Sequence, residues 1–209
     1  MKKLLSVVFF LGVFSVAAFA QSAISGTHNG HEWVDLGLSV KWATCNVGAA
    51  NPEEYGDYFA WGEIVTKDCY TEANSMSYNS PDSKWNNIGG DPAYDAASAN
   101  WGGNWRLPTS KELRELVDNC IWTWTIQNGH KGYIVTSKKN NQSIFLPAAG
   151  RRNVGTRTID EGVSGSCWSY TPYGSSTQDV YDIFFCEATF YVGWSKRYHG
   201  RSVRPVLEN

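Results

Sequence analysis

Ten tryptophans, eleven tyrosines and nine phenylalanines most limit what this 209-residue chain can become. Each ring brings a large apolar surface that folding must place. The rings come with 20 glycines and 7 prolines, residues that make turns. The combination implies a loop-rich, strand-rich domain. With 42% hydrophobic and 18% charged residues, the composition is neither disordered nor collagen-like. A net charge of −2 and an isoelectric point near 6.1 argue against nucleic acid as a partner.

The chain opens with a short basic start, Met1-Lys2-Lys3, an apolar run from Leu4 to Phe14, and Ala18-Phe19-Ala20. This is the pattern of a secretory signal peptide over 1–20, cleaved after Ala20. The run is too short and too early to span a membrane well, and no membrane span is expected later. Gln21, not Cys, follows the cut, so no lipid anchor is expected. The protein is thus expected in the periplasm, at the cell surface or outside the cell. Residues 21–30 are small and polar and read as a flexible leader. One domain over 31–207 is the simplest division of the rest. Cys45, Cys69, Cys120, Cys167 and Cys186 are an odd set with no CxxC spacing. Export permits disulfides, and burial as free thiols is the alternative.

Val34, Leu36, Leu38, Val40 and Trp42 alternate with more polar residues, which is strand periodicity that Gly37 can split. Residues 46–90 are mostly irregular. Asp91-Pro92 reads as an N-cap and first helical residue ahead of a short helix over Ala93–Ala99. Thr109 to Glu112 fits a capping box, and Leu113, Leu116, Val117 and Cys120 form one apolar stripe behind it. Strands are expected over Gly132–Ser137, Ile144–Leu146, Cys167–Tyr170, Val180–Glu187 and Ser202–Val206. The fold class is therefore α+β, with short antiparallel sheets, two helices and long loops. The Trp33–Thr44 region is expected to pair with the Ser202–Val206 strand, with the stripe packed on that sheet.

Common catalytic and nucleotide motifs are absent: HExxH, GxSxG, the P-loop and GxGxxG. His28 and His31 read as solvated, His130 falls in a turn, and His199 sits among arginines that disfavour its protonation. No metal is expected; Asp91 and Asp95 are weak calcium candidates that also read as helix caps.

Pro92-Ala-Tyr-Asp95, Trp101, Trp105-Arg-Leu-Pro-Thr109 and Gly200-Arg-Ser-Val-Arg-Pro-Val206 resemble the formylglycine-generating (sulfatase-modifying-factor) branch of the C-type-lectin fold. A closer likeness covers nearly the whole mature chain. Val34-Asp-Leu-Gly-Leu-Ser-Val-Lys-Trp-Ala-Thr-Cys-Asn-Val-Gly48 is similar to the start of the Fibrobacter succinogenes major paralogous domain. Tyr55-Gly-Asp-Tyr-Phe-Ala-Trp-Gly-Glu63, Asn100-Trp-Gly-Gly-Asn-Trp-Arg-Leu-Pro-Thr109 and Phe145-Leu-Pro-Ala-Ala-Gly150 follow in that family's order. The resemblance implies a C-type-lectin-like fold with its termini on one sheet, in an exported or surface protein of Bacteroidetes or Fibrobacteres. It implies no activity. The closely spaced copper-binding Cys pair of the enzymatic branch is missing, as are the sugar-binding signatures of calcium-dependent lectins.

The function this reading expects is a non-enzymatic secreted module binding a cell-surface glycan or protein. A structural component of a surface assembly and an enzyme on the same fold are the alternatives. Trp168, Tyr170, Tyr173, Tyr191, Trp194, Arg197 and Tyr198 are the candidate ligand residues, since aromatic and Arg side chains are enriched at binding hot spots. Part of this set is expected to fill the core instead. If Cys167–Tyr170 and Val180–Cys186 form a hairpin with its loop centred near Ser176, Cys167 faces Cys186 and Tyr170 faces Ile183. A Cys167–Cys186 disulfide would then stiffen the base of the Pro172–Gln178 loop.

Overall fold

The computed structural model describes residues 24–153 and 157–209. The expected signal peptide lies outside the described residues. The fold is α+β and mainly β, built from antiparallel sheets with few helices.

One four-stranded sheet joins the two ends of the described chain. Its order is β1 (Gly26–His28), β2 (His31–Val34), β3 (Val40–Ala43) and β12 (Val206–Glu208). The pairing expected between the start and the end of the domain is present, with Val206 opposite Trp42 and Glu208 opposite Val40. The last strand begins at the end of the expected one; residue 205 still accepts from the Ala43 amide at 3.0 Å. Gly37, at φ +66°, ends the alternating run after Val34, and the chain resumes as β3 with Leu36 and Leu38 buried between the strands.

The leader needs correction. Its second half is β1, turned into β2 by Asn29-Gly30 at φ +48° and +81°, the left-handed pair that a tight hairpin requires. His28 and His31 are correspondingly not free in solvent. The His31 ring lies 3.8 Å from that of Trp101, nearly parallel to it. His28 Nε2 accepts from the Asn104 amide at 3.3 Å.

Two three-stranded sheets follow. The first is β4 (Cys120–Gln127), β5 (His130–Ser137) and β6 (Ser143–Pro147); the second is β9 (Ser164–Pro172), β10 (Asp179–Cys186) and β11 (Thr189–Lys196). Between them lies the short ladder of β7 (Arg151–Arg152) and β8 (Thr158–Ile159). The helices are α1 (Ala96–Trp101) and α2 (Ser110–Asn119). Asp95, not Asp91, is the N-cap of α1, so that helix starts later than its Pro suggests. Asp91 instead closes the preceding turn, accepting from the Ala93 amide at 2.9 Å.

The capping box of α2 is present, with Thr109 accepting from Glu112 N at 3.1 Å and Glu112 accepting from Thr109 N at 2.7 Å. Leu113 and Leu116 are buried behind it. The stripe packs mainly on β9–β11 and β4, and meets the terminal sheet only through the shared core that holds Val34, Val40 and Trp42. A second core gathers the aromatics of the irregular region, Phe59, Trp61 and Trp85, around Trp101, Trp105 and Trp168.

The β9–β10 hairpin exists, but in a different register. Cys167 faces Ile183, and Cys186 faces Ser164. Three residues of offset put the thiols about 10 Å apart along the strand and on opposite faces, beyond the reach of a disulfide. All five cysteines are free. The register shifts because β9 spends four residues, from Trp168 to Pro172, where β10 spends two. The extra backbone is used: Tyr170 N donates to Pro108 O at 2.8 Å, and Thr171 Oγ1 accepts from the Ser110 amide at 3.0 Å. The bulge docks the sheet on the start of α2.

Leu116 is fully buried, so Leu116→Ala is expected to cost about 2–5 kcal/mol in denaturant unfolding. A loss below about 0.5 kcal/mol would show that the stripe is not core.

Candidate functional site

The exposed aromatic surface among the expected ligand residues is shared between the β9–β10 loop, with Tyr173, and β11, with Tyr191 and Trp194. β10 and β11 pair without interruption, Tyr181 opposite Trp194 and Ile183 opposite Val192. Side chains alternate across a sheet, so these four share a face. Toward one end of the strands Ile183, Phe185, Phe190 and Val192 enter the core under α2. Toward the other end the same face opens. There the Tyr173 ring meets Tyr181 at 5.1 Å and Trp194 at 5.6 Å. Trp194 is 53% exposed and Tyr173 40%. The Arg114 guanidinium of α2 lies over Tyr181 at 5.1 Å, and Lys196 Nζ over Trp194 at 6.0 Å. Lys196 also holds Asp179 at 2.9 Å and Gln178 Oε1 at 3.0 Å. The result is an apolar platform rimmed by donors.

The loop is held by hydrogen bonds, not by a disulfide. Ser176 Oγ donates to Asp179 Oδ2 at 2.9 Å and accepts from the amides of Gln178 and Asp179. Tyr173 N donates to Asp179 O at 3.1 Å. From beneath, Arg197 Nη2 donates to Ser176 O at 2.7 Å and Arg197 N to Gln178 O at 2.8 Å. The Arg197 guanidinium is buried against the Trp61 ring, 4.6 Å from its centre. Burial pulls its pKa down to about 10, with Asp179 opposing.

The seven expected ligand residues therefore divide. Tyr173 and Trp194 form the platform. Tyr191 is exposed too, but on the opposite face, against Phe184 at 5.5 Å. Tyr198 is half-buried between Tyr78 at 5.0 Å and His199 at 4.6 Å. Trp168 and Arg197 are corrections, because both are buried. Trp168 Nε1 donates to Phe59 O at 2.8 Å, and the Arg201 guanidinium covers its ring. Tyr170 is also structural: its ring fills the space where Gly89 lacks a side chain, and Arg106 lies over it at 5.9 Å. Sequence reasoning missed Tyr181, Arg114 and Lys196. The alternation of β10 pointed to Tyr181; the approach of Arg114 depends on how α2 crosses the sheet.

Asp95 acts as a helix cap, the other role its sequence context offered. Its Oδ1 accepts from Ala97 N and Ser98 N, its Oδ2 from Gly90 N and Leu107 N. Burial pushes its pKa up while these four amides pull it back. The carboxylate is spent on the chain around it, and Asp91 is exposed.

Comparison with protein-family models, with curated protein sequences and with solved structures returned no match.

His199, packed against Tyr198, supplies a pH handle. Burial, then Arg201, Arg151 and Lys196, lower its pKa to about 4 from an ordinary 6.5. Between those values the unfolded chain takes up a proton that the folded chain refuses. Stability therefore falls as pH drops from about 6.5 to about 4 and this contribution levels off below. The ring keeps some solvent access, so the expected size is about 1–2 kcal/mol. The wild-type-minus-H199Q difference in unfolding free energy should follow that curve; a flat difference would refute it.

Proposed function

We propose that this protein is a secreted, non-enzymatic binding module of the C-type-lectin-like class, of the Fibrobacter succinogenes major paralogous domain kind. Its ligand is a cell-surface glycan, held on the Tyr173–Tyr181–Trp194 platform. One observation carries the reading: Tyr173 touches both Tyr181 and Trp194, and the exposed rings of Tyr173 and Trp194 stand beside a loop that Ser176 and Arg197 hold in one shape. Flat rings suit the C–H face of a sugar. Lys196, Gln178 and Arg114 offer donors to its hydroxyls. A pre-shaped loop spares ordering entropy on binding. The junction of the two ends of the described residues on one sheet supports the class, as do the motifs from Val34 to Gly150. The reading invokes no cofactor and no membrane span; among the described residues no helix is long and apolar enough to cross a membrane.

A second reading has one observation of its own. Tyr191 and Phe184 expose a smaller aromatic pair on the opposite face of the same sheet. This pair suits a protein contact in a surface assembly.

A glycan array probed with the chain from Gln21 onward should give hits that Trp194→Ala weakens by about thirtyfold. The ring is exposed, so unfolding free energy should move by no more than about 0.5 kcal/mol. Hits that W194A leaves unchanged would move the ligand elsewhere. Self-association with no glycan hit would favour the assembly reading.

Export itself is testable. N-terminal sequencing of the exported protein should begin at Gln21, and retention of the apolar run would overturn the signal peptide.

A further inference from the structure

The strand β4 stands at the edge of its sheet, paired with β5 on one side and with no strand on the other. Lys138 N donates to Asn119 O at 3.0 Å, and Ser137 N donates to Gln142 O at 2.8 Å, on the β6 side. These two bonds fix the alternation of the ladder. Ile121, Thr123, Thr125 and Gln127 bond to β5, while Trp122, Trp124 and Ile126 turn their N–H and C=O groups outward. Among the described residues those six groups have no hydrogen-bond partner in the chain.

The other edges of the three larger sheets are covered or blunted. β12 is bridged by Arg106, whose amide donates to Val206 O at 3.1 Å. On β9, Trp168 N donates to Ser202 O at 3.1 Å and Tyr170 N to Pro108 O at 2.8 Å. β1 has three residues, and β6 has five and ends on Pro147. β11 contains Gly193 and ends on Lys196. Such features keep edges from pairing. β4 has none of them: it is eight residues without charge, proline or glycine. Ile121 and Ile126, 56% and 63% exposed, flank it on opposite faces.

Open backbone groups of this kind are matched by another strand, and the residue order of β4 selects which. About Thr123 the strand reads alike in both directions. Trp122 and Trp124 flank it, then the β-branched Ile121 and Thr125, then the apolar Cys120 and Ile126. Two identical chains meeting about a two-fold axis need this self-complementarity. With Thr123 opposite itself, Trp122 meets Trp124 of the second copy through paired backbone bonds, and no like charges face each other.

We propose that β4 pairs antiparallel with β4 of a second copy, with Thr123 on the two-fold axis, so that two three-stranded sheets become one continuous sheet. The interface is separate from the platform and from Tyr191, and it stands whether or not the platform binds glycan.

The test is sedimentation of the chain from Gln21 onward over a range of concentrations, with charged variants at Thr123, whose side chain is exposed. Wild type should form a concentration-dependent dimer. Thr123→Lys and Thr123→Glu should each raise the dissociation constant by about tenfold or more, since each sets like charges face to face. An equimolar mixture of the two variants should recover a mixed dimer of near wild-type affinity, which also shows that both fold. Diamide oxidation of a Thr123→Cys variant should link two copies through the introduced thiols, because partners at such a position lie about 4.5 Å apart at Cα. Peptide mapping separates this link from any through the native cysteines. A wild type that stays monomeric at every concentration would overturn the pairing. So would a dimer that both charged variants leave intact, a dimer that Tyr191→Ala abolishes instead, or an oxidised Thr123→Cys dimer without a link at position 123.

Discussion

The arrangement depends on a guanidinium buried without a counter-charge. Arg204 is wholly inaccessible to solvent. Its Nε donates to Asn46 Oδ1 at 2.9 Å, its Nη1 to the carbonyls of Ala43 and Thr44, and its Nη2 to Phe145 O at 3.0 Å. One side chain near the end of the chain thus ties the exit of β3 to the middle of β6. Taking such a charge out of water costs several kcal/mol, so the acceptors must be in place. Burial lowers the Arg204 pKa, yet an arginine stays charged in proteins. Arg201 repeats the device with a partner: it pairs with buried Asp182 at 3.4 Å and donates to Ser195 Oγ at 2.6 Å. Arg197, under the loop, completes the series. Three arginines within eight residues each fasten a different segment to the closing stretch of the chain.

A second knot joins the helices to the strands. Asp95 gathers backbone amides from both sides of α1. Arg106 makes two bonds to Glu112, at 2.9 and 2.8 Å, and two to Glu208 Oε1, from Nε at 3.0 Å and from Nη2 at 2.6 Å. Glu112 serves the capping box at the same time. The Arg-Leu-Pro-Thr turn is therefore a junction of α1, α2 and β12.

How much of this was legible in the sequence differs from one element to the next. The capping box and its stripe were readable because both are local, set by spacings of three and four residues. Asn128-Gly129 was readable as a turn, and it closes β4 on β5 with φ of +46° and +87°. β4 itself and β11 were missed. Trp122 and Trp124 do alternate with threonines, but Cys120 completes the helical spacing of the stripe while it already begins the strand. The hairpin register was beyond local reading. It depends on Pro108 and Ser110, some sixty residues away in sequence, which draw Tyr170 and Thr171 out of the ladder. The candidate ligand set failed for a similar reason. Composition marks a cluster of rings, but burial of Trp168 and Arg197 is decided by Phe59, Trp61 and Ser77 from the irregular region.

The platform itself follows from a mismatch of lengths. α2 has ten residues, about 15 Å of helix. The eight-residue strands β10 and β11 run about 26 Å. One helix of that length does not cover the strand face from end to end. The covered part holds Ile183, Phe185, Phe190 and Val192, and the uncovered part has rings with polar edges, Tyr181 and Trp194. Arg114 sits on the exposed side of α2 and closes over Tyr181. A disulfide would have stiffened the loop from outside the core. Arg197 does so from within, because its guanidinium is packed on Trp61 and bonded to Ser77 O and Ser176 O. The shape of the loop is thereby coupled to the packing of the aromatic core, and the rings exposed at its tip are held by the rings buried beneath it.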